Sequence, residues 1–477
     1  GGTHLPDISV LTPVFWKGVP RFVVGCVGHH ADVGGAVPGS ISPNAASIFE
    51  EGIRIPPTRL VRDGVIDTGV LNLIAHNTRE PEDRILDLKV QLATNEGGVR
   101  NVLALIETQG LEVTLGAVQD LFTYTARRFS ARVARLADGV YEGRSAMDDD
   151  GAGGAPVPIV VQATVDGDRL SFDFAGTGPQ SRGAFNVMPS GVMATVAYAV
   201  KALLDPDLPP NSGLFDAIEL SVPDGSILNP RFPGAVGART TTCQKLSGAM
   251  FAAFEALLPK ERVMAASHDV LAAMVFAGYS PRRAGAYVYL ETVGGGIGGA
   301  GDADGMDGAH VHITNSLNMP IESVELEYPL QVEHYALIPD SGGAGEFRGG
   351  LGISREVRIL EDGTTFSARA DGFKNVADGV DGGLAGSNCR VVRNGANNAR
   401  EVLDPKQRLL HLSQGETIRI ETPGGAGIGQ PNKRSPARLG EDLRDGKVTE
   451  EIARRDYGAD LVERALRASA LDDGTRP

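Results

Sequence analysis

Basic charge is scarce in this sequence. Its 45 Lys and Arg stand against 60 Asp and Glu, giving a formal net charge of -15 over 477 residues. That balance excludes a phosphate-neutralising nucleic-acid surface and an affinity for anionic membranes. Cysteine is scarcer still. Cys26, Cys243 and Cys389 are odd in number, far apart and without a C-x-x-C spacing, which excludes a disulfide framework and favours a reduced, cytoplasmic setting. No apolar run is long enough to cross a bilayer. The glycine clusters are never followed by Lys-Ser or Lys-Thr, so no P-loop exists. No G-x-S-x-G elbow marks a serine nucleophile.

What remains is an ordinary globular composition, 42% hydrophobic and 22% charged, with 62 glycines gathered beside Asp, His and Pro. A chain this long holds two to four domains by its length. Residues 8 to 15 and 21 to 27 read as strands around the turn Trp16-Lys17-Gly18. Residues 68 to 75 read as a short helix. Residues 81 to 107 and 114 to 136 have helical periodicity, part at Gly110, and read as an antiparallel pair. Residues 148 to 154 form a Gly/Asp linker. Residues 158 to 164 and 170 to 174 flank Asp166-Gly167-Asp168 as a hairpin. Residues 191 to 204 and 240 to 258 read as buried helices. Residues 309 to 315 alternate as a strand, 324 to 420 as short strands with glycine turns, and 450 to 468 as a closing amphipathic helix. The expected fold class is mixed α/β, α+β-like and multi-domain, with β-rich portions and an early helical pair, and is neither a Rossmann nor a P-loop fold. The expected domains are a metal-cluster β region (1–65), a helical pair (66–147), an α/β middle domain (148–300) and a β-rich C-terminal region with a terminal helix (301–477).

Two clusters near the N-terminus carry the chemistry. Thr3-His4-Leu5-Pro6-Asp7 enters the first hairpin and His29-His30-Ala31-Asp32 leaves it. Imidazole and carboxylate groups suit a divalent ion with positions left open. His4, Asp7, His29, His30 and Asp32 are the metal candidates. His30 and Asp32, two apart, share a face in an extended chain, so they are the favoured pair and His29 points away. On that reading His30→Ala removes metal and turnover together. The alternative is a set of polar turn residues without a metal. Arg239-Thr240-Thr241-Thr242 opens a predicted helix, with a guanidinium and hydroxyls suited to an anion or to a plain helix cap. His310 and His312 share a face of the predicted strand after Asp304 and Asp307. The candidate catalytic group is His310, His312 and Asp307, set against a polar strand edge. Cys243 reads as a buried thiol. The clusters at 294 to 298, 342 to 345 and 424 to 427 read as tight turns, leaving room for one backbone contact to phosphate.

In order, Gly1-Gly2-Thr3-His4-Leu5-Pro6-Asp7, His29-His30-Ala31-Asp32-Val33-Gly34-Gly35, Glu51-Gly52-Ile53-Arg54-Ile55-Pro56-Pro57, Asp173-Phe174-Ala175-Gly176-Thr177 and Asn229-Pro230-Arg231-Phe232-Pro233 stand in this chain. Arg239-Thr240-Thr241-Thr242, Asp307-Gly308-Ala309-His310-Val311-His312 and Ser341-Gly342-Gly343-Ala344-Gly345 follow. With these motifs the chain resembles the B-type subunit of ATP-dependent hydantoinase/oxoprolinase enzymes, the N-methylhydantoinase B family, over about its first 429 residues. The resemblance implies an ATP-dependent cyclic amidase. In it an A-type partner subunit binds ATP and phosphorylates the amide oxygen of a hydantoin, 5-oxoproline or other lactam. The B-type chain then completes ring opening at a divalent metal (Zn, Mn or Mg), in a hetero-oligomer. An acetone- or acetophenone-type carboxylase subunit and a non-catalytic scaffold subunit are the alternatives. Two departures stand out. The chain opens on Gly1-Gly2 without Met and reads as one whose N-terminus lies upstream, with an acidic segment of the family's metal site missing. The stretch Ser367-Ala368-Arg369-Ala370-Asp371-Gly372-Phe373 is less basic than the family pattern implies.

Overall fold

A computed structural model describes residues 3–395 and 399–472. The opening Gly1-Gly2 of the first motif lies outside them. The chain begins with the expected hairpin. Strands β1 (Asp7–Trp16) and β2 (Val19–His29) pair antiparallel from Asp7 opposite His29 to Trp16 opposite Val19. Lys17 and Gly18 turn with φ of 49° and 77°, the two left-handed residues that a two-residue hairpin requires. A second, minimal hairpin joins β3 (Val61–Arg62) to β4 (Val65–Ile66). Helix α1 (Thr68–Ala75) follows, capped by the Asp67 carboxylate on Val70 N–H.

Helices α2 (Pro81–Gln109) and α3 (Leu111–Val133) are the expected helical pair, and Gly110 turns between them with φ of 86°. α2 packs on β1 and β2. Gln91 and Asn95 donate to the Ile8 and Val10 carbonyls. Gly98 allows the close approach, since a Cβ there would come 2.7 Å from Val24 Cγ1. α2 therefore decides which face of the hairpin is buried.

The middle of the chain is a helix-on-sheet unit. Strands β5 (Gly139–Met147), β6 (Val157–Asp166) and β7 (Arg169–Asp173) are antiparallel. Helices α4 (Pro189–Leu204) and α5 (Ser212–Phe215) lead to β8 (Ile218–Ser221), which is parallel to β7. α3 reaches this unit and packs on α5 and β7. Helix α6 (Arg239–Phe254) lies on β5 and β6. It sits so close that a Cβ on Gly143 would lie 1.9 Å from the Ala249 carbonyl oxygen. Phe172, Phe174, Phe185 and Phe254 fill the space between, each essentially inaccessible to solvent.

The remainder is β-rich. Strands β9 (Ala272–Ser280) and β10 (Gly285–Val293) form a hairpin, and helix α7 (Ile321–Glu327) stands where strand was expected to begin. Strands β11 (Leu330–Leu337), β12 (Ile353–Ile359), β13 (Thr364–Arg369), β14 (Arg390–Asn394), β15 (Arg400–Val402), β16 (Leu410–Leu412) and β17 (Thr417–Glu421) complete two antiparallel sheets. Their strand orders are β10-β9-β13-β16 and β11-β12-β17-β14-β15. Among the described strands only β7 and β8 run parallel, so no doubly wound nucleotide fold is present. No helix among the described residues is long and apolar enough to cross a membrane.

Three details differ from the sequence reading. The expected closing helix is two helices, α9 (Glu450–Asp456) and α10 (Ala459–Asp472), preceded by α8 (Pro436–Arg444) and broken at Gly458, whose φ is 92°. The Gly/Asp stretch at 148 to 154 is anchored. Asp148 is fully buried and accepts from the N–H groups of Phe373, Lys374 and Asn375 at 2.6, 3.2 and 2.8 Å. The glycine clusters are not tight turns. Gly296, Gly298, Gly343, Gly425 and Gly427 all lack left-handed φ values. They lie in segments that hydrogen-bond directly to one another, such as Gly350 N–H to the Ile297 carbonyl at 2.8 Å and Gly425 N–H to the Gly350 carbonyl at 3.0 Å. The N–H groups a phosphate would need are already bonded, to backbone carbonyls at Gly296, Gly343, Gly425 and Gly427 and to Ser267 Oγ at Gly298.

The C-terminal helices are locked to this glycine layer by buried ions. Arg434 donates to both Asp304 oxygens, at 2.7 and 2.9 Å, and to Asp442 Oδ2 at 2.6 Å. Burial alone would raise the Asp304 carboxyl, but the hydrogen bond and charge of Arg434 hold it below the usual range. Arg434→Met should cost about 3–5 kcal/mol, because it strands buried carboxylates. A group with a depressed folded pKa contributes stability above its unfolded value of about 3.9. The wild-type chain should therefore lose this contribution as pH falls below about 4. Urea midpoints for both proteins across pH check this. Equal midpoints at pH 7 would sink it.

Candidate metal centre

The hairpin register builds the site. Asp7 and His29 are cross-strand partners at its open end, so their side chains emerge on one face. His4 is brought in by the turn before β1, in which Asp7 N–H bonds to the His4 carbonyl. His4 Nε2 lies 2.9 Å from Asp7 Oδ1 and 3.2 Å from His29 Nδ1, and His29 Nδ1 lies 3.1 Å from Asp7 Oδ1. The two imidazoles stack with centroids 5.1 Å apart. Ligand atoms about 2.1 Å from one ion and about 90° apart are about 3.0 Å from each other. The three separations are short enough for one divalent ion to be held by all three atoms, a two-histidine, one-carboxylate set. His4 is buried, whereas the His29 side chain is 46% exposed, so solvent reaches the cluster from the His29 side.

The protonation state fits a cation. Burial lowers the His4 pKa to about 4, against the opposing hydrogen bond to Asp7. His4 is therefore neutral at pH 7. Its Nδ1 faces the Gly237 carbonyl at 3.3 Å, and with the proton there Nε2 presents its lone pair to the cluster. This is how an outer partner fixes the tautomer of a metal-binding histidine. Asp7 is held well below the usual carboxylate range: burial raises it, but hydrogen bonds to His29 and His4 and the nearby charges more than reverse this. Lone pairs thus converge with too few protons between them, and a divalent ion satisfies all three. Among the described residues these are the only three His, Cys, Asp or Glu side chains so grouped.

Arg239, the first residue of α6, completes the centre. Its Nη2 donates to Asp7 Oδ2 at 2.8 Å, and its Nε donates to Thr3 Oγ1. Thr240 Oγ1 is 3.5 Å from Arg239 Nη1, and Thr241 Oγ1 is buried with no hydrogen-bond partner. Beneath them, Glu51 Oε1 accepts from Val236 and Gly237 N–H at 2.9 and 2.5 Å, and so fixes the peptide that faces His4. Burial pushes Glu51 up to about 7.

Other sequence candidates lie elsewhere. His30 falls just past the end of β2 and turns inward. Its Nε2 is 3.1 Å from Gln91 Oε1 on α2, and its Nδ1 is 3.8 Å from Asp87, beyond hydrogen-bond reach. Asp32, fully buried, accepts from Gly34, Gly39 and Arg79 N–H and from the Arg79 guanidinium at 2.8 Å. It organises the loop from 32 to 40, and its oxygens are already used. The favoured pair of the sequence reading is therefore outside the cluster. Asp307 is occupied by Arg348, Leu351 N–H and Lys447. Residues 310 to 315 are not a strand, and His312 has a left-handed φ of 48°. His312 Nε2 is 2.8 Å from Asp269 Oδ1, and its Nδ1 is 3.3 Å from Tyr198 Oη. His310 keeps a buried, unpartnered Nε2, and burial lowers its pKa. None of these three is hydrogen-bonded or ion-paired to His4, Asp7 or His29. Cys243 is buried, as expected, and burial raises its thiol pKa. The sequence reading missed Glu51, which holds the peptide facing His4. Glu51 was visible only as the head of the Glu51-Gly52-Ile53 motif.

A family model described as Hydantoinase B/oxoprolinase matches residues 1–431. An uncharacterised protein of Methanocaldococcus jannaschii is 35% identical over 467 residues, covering 97% of this chain and 80% of that protein. The B-type subunit of a putative D-/L-hydantoinase from Pseudomonas sp. (strain NS671) is 30% identical over 97% of this chain and 80% of its own length. 5-Oxoprolinase 1 of Arabidopsis thaliana is 31% identical over 90% of this chain, which spans only 34% of that protein. Among solved structures, the ATP-dependent caprolactamase from Pseudomonas jessenii superposes with a TM-score of 0.88 at 27% identity, over 98% of this chain and 83% of that one. A nucleotide-free acetone carboxylase superposes at 0.87 with 19% identity, over 99% and 71% of the two chains. At that identity it speaks for the fold alone.

Proposed function

The chain belongs to the hydantoinase B/oxoprolinase family, and from that premise we propose that it is the B-type subunit of an ATP-dependent cyclic amidase. Its substrate is a hydantoin, 5-oxoproline or another lactam, and its partner is an A-type subunit that binds ATP. The observation that carries this reading is the convergence of His4 Nε2, Asp7 Oδ1 and His29 Nδ1 with Arg239 beside them. A divalent ion held by those three atoms supplies Lewis-acid polarisation of a substrate oxygen. The chain's own groups do the rest. The Gly237 carbonyl keeps His4 in one tautomer. Asp7 holds the Arg239 guanidinium against the cluster, and Arg239 with the Thr240 and Thr241 hydroxyls binds an anionic oxygen at the start of α6. We assign to His310, whose neutral imidazole keeps a free nitrogen, the proton that is taken from the attacking water and then passed to the leaving nitrogen. His312 and Asp307 are assigned to holding the loop between them.

The test is the metal-loaded chain reconstituted with an A-type subunit, offered hydantoin, 5-oxoproline and caprolactam with ATP. The expected result is ring-opened product matched by ADP. ATP turnover that depends on bicarbonate, with acetone as acceptor, would move the assignment to a carboxylase. A complex that turns over equally well when this chain carries no metal would make it a scaffold.

A further inference from the structure

Five arginines are buried among the described residues: Arg84, Arg348, Arg355, Arg369 and Arg434. Arg84 pairs with Asp87, Arg348 with Asp307, Arg355 with Glu291, and Arg434 with Asp304. Arg369 pairs with no carboxylate among the described residues. The residue is 5% exposed, its Nε has no hydrogen-bond partner, and among the described residues its guanidinium makes one hydrogen bond, from Nη1 to the Gly237 carbonyl at 3.4 Å. A buried guanidinium without counter-charge is strongly unfavourable unless something anionic joins it. Its position says where that anion belongs. Gly237 is the residue whose carbonyl faces His4 Nδ1, and Arg239 stands two residues further on. The two guanidiniums are close enough for Arg239 to lower the pKa of Arg369, which burial brings down to about 10.

We infer that Arg369 and Arg239 form a binding site for a phosphoryl dianion beside the His4, Asp7 and His29 cluster. Charge selects the class. Arg239 and Arg369 are balanced by Asp7 and, when it is ionised, Glu51. Both histidines are neutral when they serve as ligands. A divalent ion then leaves a surplus of two positive charges among these groups. A carboxylate cancels half of that surplus, whereas a phosphoryl group cancels all of it and offers three oxygens to two guanidinium forks and the ion. The unpartnered Thr241 hydroxyl, in the first turn of α6, is a further donor. The inference rests on the proposed function only for where the phosphoryl group comes from, namely the phosphorylated amide passed on by the ATP-binding partner.

The isolated, metal-loaded chain is titrated with inorganic phosphate and with acetate, as wild type, Arg369→Met and Arg369→Lys. Wild type is expected to bind phosphate at least about tenfold tighter than acetate, and Arg369→Met to weaken phosphate by about tenfold or more. Arg369→Lys recovers part of the loss through its charge. In phosphate-free buffer Arg369→Met should melt no lower than wild type, because it removes an uncompensated charge. In phosphate only the wild type should gain in melting temperature. Unchanged phosphate affinity in Arg369→Met overturns the inference, and so does acetate binding as tightly as phosphate. A variant that unfolds without phosphate overturns it too, since Arg369 would then be a structural group. Phosphate binding of the expected pattern without ATP-dependent ring opening would leave this site standing and overturn the proposed function. Ring opening with unaltered phosphate binding would do the reverse.

Discussion

His4→Ala is expected to yield a folded chain that holds no stoichiometric divalent metal and whose ATP-dependent turnover, with its partner, falls by at least about a thousandfold. The reason lies in the geometry. Three atoms 2.9 to 3.2 Å apart make one ligand face, and His4 is the buried member whose tautomer the Gly237 carbonyl fixes. Without it, the half-exposed His29 and Asp7 remain, and Asp7 is already drawn toward Arg239 at 2.8 Å. The matched control is His30→Ala. That imidazole is buried and bonded to Gln91, so its loss should leave metal content intact and lower stability by about 1–3 kcal/mol. Metal analysis of both purified variants, with a coupled ADP assay, separates the two outcomes. A stoichiometric ion in His4→Ala, or none in His30→Ala, would sink the assignment of ligands.

The contrast between His29 and His30 shows how far the sequence could be read. The hairpin was legible because alternation, the Trp16-Lys17-Gly18 turn and the flanking polar clusters all pointed to it. Its register places Asp7 opposite His29, so the entering and leaving clusters do meet. Parity separated His29 from His30, but it favoured His30 and Asp32 as the ligand pair, whereas His30 meets Gln91 and Asp32 meets Arg79 and the loop N–H groups. Parity does not say which face is buried. That is settled by α2, more than fifty residues further on, which brings Gln91 to His30 and covers the inner face. Asp32 was misread for a related reason. A carboxylate followed by Gly34, Gly35 and Gly39 is as well suited to gathering loop N–H groups as to binding an ion, and here Arg79 adds a side-chain charge as well. Arg369 was illegible in the same way. Its inferred role follows from having no carboxylate partner among the described residues, and a sequence does not show the lack of a counter-charge. What joins these distant parts is α6. Its first residue meets the His4, Asp7 and His29 cluster, Gln244 donates to the Val311 carbonyl and Thr314, and Lys245 faces Asp371. One buried helix thus ties the β-rich half to the centre that the hairpin builds.

Gly350→Ala is expected to cost more than about 4 kcal/mol and to leave little folded chain. Alanine is the smallest replacement available, and Gly350 is not left-handed, so backbone strain is no part of the argument. The whole effect is steric. A Cβ at Gly350 would lie 1.9 Å from the Met306 carbonyl oxygen and 2.9 Å from Ile297 N. Both neighbours are main chain, held by hydrogen bonds such as Gly350 N–H to Ile297 and Gly425 N–H to Gly350. A flexible side chain would swing aside, but this layer can yield only by separating its segments, and each separation strands buried N–H and C=O groups. Gly167→Ala is the counter-case. Gly167 sits in the β6–β7 turn with φ of 61°, and a methyl group added there would meet nothing within 4 Å, so only the left-handed penalty applies, about 1–2 kcal/mol. Urea unfolding of the two variants beside wild type reads the difference directly. A Gly350→Ala protein as stable as Gly167→Ala would mean that the glycine clusters are loose loops after all, and that the close contacts between Gly296, Gly350 and Gly425 do not hold this half of the molecule together.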